Sequence, residues 1–312
     1  MNLKTEVHIA KPARPIEHSD RVFMIGSCFA ENMAERMKRS GIRTASNPFG
    51  VMYNPLSIAA CIDRLLEGKP FGEDELIQYG GMYHSMMHHG AFSAADKATC
   101  LERINSSLRE GERALREADI IIITWGTAWI YEFEGNVAGN CHKLPADRFT
   151  RRRLSPEEIA IRYRQLIGRA DLRDKRFIFT VSPIRHIKDG LHENQLSKAT
   201  LLLATDMLRQ DFPELDYFPS YEIMNDELRD YRFYADDMLH PSALAEQYIW
   251  ERFTGSRFSA SALASAKECE DFFRAGAHRP LHPDSAQYQQ FAEALQQKRE
   301  ALLKKYPYLR TE

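Results

Sequence analysis

One segment restricts the possible folds more than any other: DIIIIT, residues 119–124, is a run dominated by consecutive large apolar residues. A strand with one face in water alternates apolar and polar residues, whereas a strand that is covered on both faces is apolar throughout. The run therefore predicts a central strand of a parallel sheet with helices on both sides. The segments RVFMI at 21–25 and RFIFTV at 176–181 have a similar character.

Helical patterns alternate with these apolar runs, which is the order expected of an α/β fold. We predict strands at residues 21–25, 43–46, 119–124, 176–181 and 215–218, and helices at 29–39, 56–66, 95–116, 155–169, 193–210, 221–229 and 241–253. Two segments, 67–92 and 129–145, interrupt the alternation, and their glycine and aromatic residues predict small hairpin excursions. The run RRR at 151–153 is predicted to be a solvated loop.

The composition of the chain changes near residue 255. The 312 residues, 44% of them hydrophobic, are enough for one large α/β domain with additions. Beyond this point the chain is rich in Ala, Gln and charged residues, which predicts two helices separated by HRPLHPD at 278–284. We therefore expect an α/β domain over residues 1–255 and a helical appendage over residues 256–312 that packs on it. These helices are also the expected surface for any oligomer.

Charge, cysteine usage and hydropathy narrow the class of protein. The net charge of −2 gives no sign of a nucleic-acid partner. The five cysteines are scattered and lack CxxC spacing, as is usual in a reduced cytosolic protein. The N-terminal segment has no apolar core of a signal peptide, and no run approaches the roughly 18 apolar residues of a membrane span. The sequence therefore predicts a cytoplasmic protein without a membrane partner.

Polar residues at the predicted strand ends are the candidates for chemistry, because ligands of open parallel sheets bind beyond the carboxyl ends of the strands. Ser27 follows the first strand at the start of a helix, where the helix N-terminus favours negative charge. The alternative is that Ser27 only caps the helix. The neighbouring Cys28 is expected to be a thiol buried against the sheet. Asp237 and His240 have a spacing that lets the carboxylate orient the imidazole, which can then take a proton from the serine.

The histidine-rich segment HSMMHH at 84–89 offers a competing interpretation. His84 and His88 have the i,i+4 spacing of metal ligands if the segment is helical, but the flanking glycines argue against a helix. We expect instead that His88 lines a substrate cleft and that the protein binds no metal, with metal-dependent phosphoester hydrolysis as the alternative. No GxGxxG or GxxxxGK[ST] pattern occurs, so no cofactor is predicted.

Six motifs together resemble the GSCFA-domain family. They are GSCFA at 26–30, NPFGVMYNP at 47–55, TWGTAWIYE at 124–132, NCHK at 140–143, SPIRH at 182–186 and FPSYEIMNDELRDYRFYADDMLHPS at 218–242. The resemblance covers residues 20–255. That family is grouped with the SGNH, or GDSL-like, serine hydrolases, which implies a three-layer α/β/α, flavodoxin-like sandwich with a mainly parallel sheet.

The resemblance also implies an enzyme. Ser27 matches the serine that follows the first strand in the wider superfamily, and Asp237 and His240 match its downstream Asp–His pair. The implied function is a serine esterase that forms an acyl-enzyme on a small-molecule or carbohydrate ester, with O-acetylated sugars among the expected substrates. Two alternatives stay open: an acyltransferase with the same triad, and a catalytically inactive glycan- or protein-binding module.

The oxyanion hole is where this sequence departs from the superfamily pattern. There, the donors are the serine N–H, a glycine after the second strand and an asparagine after the third. Gly50 is the expected glycine. Because WGTA stands where GxND is usual, Thr127 beside Gly126, or Asn47, is the expected substitute for the asparagine. The two excursions are expected to wall the cleft, with His88 and His142 touching the substrate.

Overall fold

The computed structural model describes residues 4–277 and 285–311. The predicted break at 278–284 lies outside the described residues. The strands, in chain order, are β1 (Arg21–Gly26), β2 (Arg43–Ser46), β3 (Leu76–Tyr79), β4 (Met82–Ser85), β5 (Ile120–Trp125), β6 (Trp129–Phe133), β7 (Asn136–Ala138), β8 (Phe149–Arg153), β9 (Arg176–Val181) and β10 (Asp216–Phe218).

The described helices follow the predicted alternation. In chain order they are α1 (Cys28–Arg39), α2 (Pro55–Glu67), α3 (Lys97–Glu117), α4 (Pro156–Ile167), α5 (Gly190–Asp211), α6 (Ser220–Glu222), α7 (Ala243–Arg257), α8 (Ala260–Gly276) and α9 (Ala286–Lys305). The short α6 continues as a π-helix over Ile223–Glu227.

The central sheet has five parallel strands in the order β2-β1-β5-β9-β10. Numbered among themselves along the chain, they have the order 2-1-3-4-5 of doubly wound, flavodoxin-like sheets. β5 lies in the middle, and all six of its residues are buried, as the run of isoleucines predicts. The carboxyl ends of the five strands meet at one edge, which brings together the loops that begin at residues 27, 47, 126, 182 and 219.

Each face of the sheet has its own apolar core. Phe23 and Ile25 of β1 pack in a cluster with residues of α2, α3, α4 and α5. Val22 and Met24, which alternate with them, pack in a second cluster with residues of α1, α7 and α8. Successive side chains of a strand point to opposite faces, so this division makes three layers, helices on sheet on helices. The predicted α/β/α architecture is confirmed.

The two excursions form small antiparallel sheets outside the central one. β3 and β4 make a hairpin whose turn, Gly80–Gly81, has positive φ at both residues, as tight hairpins require. β6, β7 and β8 form a three-stranded sheet in the order β7-β6-β8. The prediction of a solvated loop at 151–153 is wrong, because these residues belong to β8 and pair with β6. The three charged residues made the segment look solvent-exposed in the sequence. In the structure the guanidinium of Arg151 stacks on the ring of Trp129, 4.3 Å from its centroid.

The C-terminal helices pack on the α1 side of the sheet. Ile16 pairs with Phe258, and Ala262 and Ala266 of α8 are buried in the core that contains α1. The predicted boundary at residue 255 falls inside the last turn of α7. The division of the chain into two domains stays a prediction. Among the described helices, none combines the length and the apolar character that crossing a bilayer requires.

Candidate active site

Ser27 occupies the sharp turn between β1 and α1. The preceding residue, Gly26, has φ 146°, and a Cβ there would lie 2.1 Å from the carbonyl oxygen of Thr124, so only glycine permits this approach of the chain to β5. Ser27 is the N-cap residue of α1 by position, but its side chain makes no capping hydrogen bond. Its Oγ is buried and has no hydrogen-bond partner among the described residues. The fold therefore does not use the hydroxyl as a cap.

Asp237 and His240 form the expected pair. The imidazole Nδ1 lies 2.5 Å from Asp237 Oδ2, and Asp237 Oδ1 accepts hydrogen bonds from the N–H groups of Leu239 and His240 at 2.9 and 3.0 Å. These hydrogen bonds, led by the one from the His240 backbone, lower the pKa of Asp237 to about 2. The carboxylate stays ionised at neutral pH and holds the ring in one orientation.

The free nitrogen of the imidazole faces the residue next to Ser27. His240 Nε2 lies 4.0 Å from Cys28 Sγ, whereas Ser27 Oγ has no partner, so a Ser27–His240 hydrogen bond is not formed in this structure. The expectation of a buried Cys28 is wrong: as the first residue of α1, it lies half-buried beside His240. Burial, with smaller contributions from Glu31 and Glu246, nevertheless raises the pKa of the Cys28 thiol.

A cavity of about 490 Å³ opens in front of this group. Cys28, His186 and His240 line it together with Trp129 and Tyr131 of β6, whereas Ser27 does not. Arg151, which also lines the cavity, stacks on both aromatic rings and forms a bidentate ion pair with Asp189. The excursion at 129–145 thus lines the cavity, as expected, whereas no residue of the excursion at 67–92 lines it.

The main-chain donors expected for an oxyanion are already engaged. The N–H of Gly50 donates to Asn47 O at 2.7 Å, which contradicts the expected role of Gly50 as an oxyanion donor. The N–H groups of Gly126 and Thr127 both donate to Tyr53 O, at 2.8 and 2.9 Å. The hydroxyl of Thr127, a residue that lines the cavity, lies 3.0 Å from Ser197 Oγ.

The side chain of Asn47 has a free donor. Its Oδ1 accepts a hydrogen bond from the N–H of Gly26 at 2.8 Å, which holds the amide against the residue that precedes Ser27. Its Nδ2 is buried and has no partner among the described residues. Asn47 also has φ 44°, a left-handed conformation that asparagine tolerates better than most residues. Of the predicted substitutes for the missing asparagine, Asn47 is the one with an unused N–H.

The predicted substrate histidines lie elsewhere. His88 is 1% exposed and stacks on Phe49 at 4.2 Å, which contradicts its expected place in the cleft. Its pKa is lowered to about 3, chiefly by burial. The Nε2 of His142 lies 2.8 Å from the carbonyl oxygen of Ser85, and His142 does not line the cavity. His88 packs among Phe49, Phe71 and Phe92, and His142 packs beside His84, so both rings join the excursions to their surroundings.

The histidine-rich segment also lacks metal-ligand geometry. His84 belongs to β4 and not to a helix, so the i,i+4 spacing to His88 does not place both rings on one face. His84 instead hydrogen-bonds Ser93 Oγ at 2.7 Å. Within residues 4–277 and 285–311, no group of three or more His, Cys, Asp and Glu side chains is arranged to hold a metal ion.

Two residues near the strand ends are not among the predicted site residues. His186, from the SPIRH motif, lines the cavity, and its Nε2 is buried without a partner among the described residues. Lys198 of α5 is fully buried and donates to Gly126 O and Ser182 O at 2.6 and 2.7 Å, which ties the ends of β5 and β9 together. Burial lowers the pKa of Lys198 to about 7. The place of His186 in the SPIRH segment that follows β9 was a usable signal, whereas nothing in the pattern of α5 marks Lys198.

Fold and site together define a class: a doubly wound α/β/α protein with a serine after its first strand and an Asp–His pair at the same sheet edge. A family model described as the GSCFA family matches residues 21–253. A second model, the C-terminal domain of GSCFA domain proteins, matches residues 270–312. The chain therefore belongs to the GSCFA family. In a comparison with curated proteins, no protein matches it.

Proposed function

We propose that this protein is a serine esterase of the SGNH, or GDSL-like, type that acts on carbohydrate or other small-molecule esters in the cytoplasm. The observation that carries the proposal is the hydroxyl of Ser27, which is buried and makes no hydrogen bond. It lies at the N-terminus of α1, the positive end of the helix dipole. The next residue, Cys28, has the thiol that contacts His240. A hydroxyl that neither caps the helix nor makes another hydrogen bond is available for chemistry, and an oriented imidazole is the base it needs.

The proposed reaction uses each group in one role. Ser27 Oγ attacks the ester carbonyl while His240 Nε2 takes its proton, and the tetrahedral intermediate collapses as the imidazolium returns that proton to the leaving alcohol. Asp237 accepts the Nδ1–H and stabilises the imidazolium. Water, deprotonated by His240, then attacks the acyl-enzyme and releases the acid and the free serine.

The aromatic wall of the cavity supports a sugar ester as substrate. Trp129 and Tyr131 offer flat apolar surfaces for the C–H face of a sugar ring, and Arg151 and Asp189 offer donors and acceptors for its hydroxyls. The cavity, at about 490 Å³, falls in the range typical of small-molecule sites.

The mechanism requires a movement of His240. Its ring must turn from Cys28 to Ser27, the neighbouring residue, to form the hydrogen bond that is missing here. The His240 side chain is 46% exposed, so the movement breaks little packing. Catalytic hydrogen bonds are often long in the absence of substrate and shorten when it binds.

A fluorophosphonate probe tests this proposal. We expect the probe to label the folded protein at Ser27, Ser27→Ala to abolish labelling and His240→Ala to slow it at least about 100-fold, the lower range for loss of a general base. Cys28→Ala is the matched control, since it removes the side chain that His240 contacts but not the proposed nucleophile. Labelling at another residue, or none in a protein that remains folded, rejects the esterase.

The same missing hydrogen bond favours a second candidate, a catalytically inactive module that binds glycans or a protein through the cavity. The module predicts acylated-sugar binding that Trp129→Ala abolishes, together with no labelling of Ser27. An acyltransferase differs from both: it labels at Ser27 and passes the acyl group to an added sugar faster than to water.

A further inference from the structure

Buried polar atoms without a hydrogen bond are rare in folded proteins, and each calls for an explanation. Four of them gather at adjacent strand ends: Ser27 Oγ after β1, Asn47 Nδ2 after β2, Thr124 Oγ1 at the end of β5 and His186 Nε2 after β9. In a stable core this cluster costs free energy. A ligand with a strong hydrogen-bond acceptor removes part of that cost when it binds between the donors.

The glycine after β5 leaves room for such an acceptor. A Cβ built on Gly126 would lie 3.4 Å from His186 Nε2, 3.5 Å from Ser27 Cβ and 3.1 Å from Tyr53 O. The Tyr53 carbonyl already accepts hydrogen bonds from Gly126 and Thr127. One point in space is therefore close to both the serine and the imidazole, and no side chain of residue 126 occupies it.

The ring of His186 is suited to donate there and not to exchange protons. Burial lowers its pKa to about 3, so the imidazole is neutral from weakly acidic to basic pH and is a poor proton acceptor. A neutral imidazole with a lowered pKa can still polarise a carbonyl through its N–H. The backbone N–H of His186 donates to Asn194 Oδ1 at 2.9 Å, and its ring meets the edge of Tyr53, so its position is fixed.

We propose that His186 Nε2–H, with the amide of Asn47, donates to the oxyanion that forms when Ser27 attacks its ester. His186 thus replaces the asparagine that other members of the superfamily have where this chain has WGTA. Asn47 replaces the N–H of Gly50, which is already engaged. His186 transfers no proton. This inference rests on the proposed function.

Hydrolysis of p-nitrophenyl acetate by the full-length protein tests the inference. We expect His186→Ala to lower kcat about 100- to 1000-fold, the usual effect of one lost oxyanion donor, with KM changed by less than about 3-fold. His186→Gln, whose amide nitrogen can reach the position of Nε2, should recover at least about tenfold of that loss. Neither variant should change the shape of the pH–rate profile, since the proton moves through His240.

A second pair of variants keeps the test independent of folding at position 186. Gly126→Ala places a methyl group between Ser27 and His186, 3.1 Å from Tyr53 O, and should lower kcat by at least about tenfold in a protein whose near-UV circular dichroism stays native. Gly90→Ala, whose Cβ meets no atom within 4 Å, is the matched control and should leave kcat unchanged.

The outcomes separate the two proposals. Turnover that depends on Ser27, with His186→Ala and Gly126→Ala both within about 3-fold of the wild type, rejects the His186 donor and keeps the esterase. Equal losses in the Ala and Gln variants, or a lost limb of the pH–rate profile, also overturn the donor role. Wild-type protein without turnover and without Ser27 labelling rejects the esterase, and the inference with it.

Discussion

His88 makes the stability of this protein sensitive to acid. Its ring lies among Phe49, Phe71 and Phe92, and its Nδ1 hydrogen-bonds Ser85 Oγ at 2.8 Å. Burial there lowers its pKa from 6.5 to about 3, so the folded protein keeps the ring neutral while the unfolded chain takes up a proton. Stability from this group is complete above about pH 6.5 and is lost as the pH falls from there toward about 3.

The size of the effect follows from the proton that only the unfolded chain binds. At about pH 5 the unfolded histidine is about 1.5 pH units below its midpoint, which favours unfolding by about 2 kcal/mol relative to pH 7. His88→Phe fits the same aromatic cluster and removes the titration. We therefore expect this variant to lose about 2 kcal/mol less stability than the wild type between pH 7 and pH 5. The lost Ser85 hydrogen bond lowers its stability equally at both pH values.

Urea unfolding at pH 7 and pH 5 gives the loss of unfolding free energy for each protein, and the two losses are then compared. His88→Gln is the matched control: it packs differently from phenylalanine but does not titrate, so its pH dependence should be reduced by the same amount. A His88→Phe protein with the wild-type pH dependence would show that the ring is not held neutral and would refute the reasoning. A reduced pH dependence in only one of the two variants would assign the effect to packing.

Three further predictions concern the sheet edge and the triad. Gly26→Ala should prevent native folding, measured by near-UV circular dichroism, because a Cβ would lie 2.1 Å from Thr124 O at a φ that alanine disfavours; a native spectrum would contradict this. Arg257→Met should lower the free energy of unfolding in urea by about 3 kcal/mol, since it removes one of the two arginines paired with Asp216, at 2.9 Å, and the hydrogen bonds to Ala10 O and Tyr217 O; a change below about 1 kcal/mol would count against it. Asp237→Asn should lower kcat by about 10⁴-fold at unchanged Tm, because the imidazole loses its orienting acceptor, and near-wild-type turnover would exclude the triad.

The sheet was predictable because its three inner strands, β1, β5 and β9, are buried on both faces. The boundaries predicted for β9 are those of the structure, and β5 differs by one residue at each end, because long apolar runs leave little choice of face or partner. The short β2, RTAS, was also placed correctly, between the glycine that follows α1 and the loop signal NPFG. The same reasoning missed β8, where arginine side chains pack through cation–π contacts that hydropathy patterns do not record.

The only residues of the candidate site that could be predicted are those whose place at the end of a strand or in a loop suggests their role. Ser27 and the Asp237–His240 pair follow strand and loop ends, and the structure brings them to one edge of the sheet. The oxyanion donors depend on which N–H groups the tertiary structure has already used, and this cannot be read from spacing. The N–H of Gly50 is consumed by the turn at Asn47, whereas the amide of that same asparagine is left over.

The concealment of the Ser27 hydroxyl has a kinetic consequence. Because the oxygen is shielded from solvent, a reagent reaches it only after the residues that cover it have moved. The rate of covalent inactivation should therefore rise with reagent concentration and then level off at the rate of this opening motion. The limiting rate should be the same for a fast-reacting phosphonate and a slow-reacting carbamate. The same shielding would protect the Ser27 oxygen from chance reaction with small electrophiles in solution.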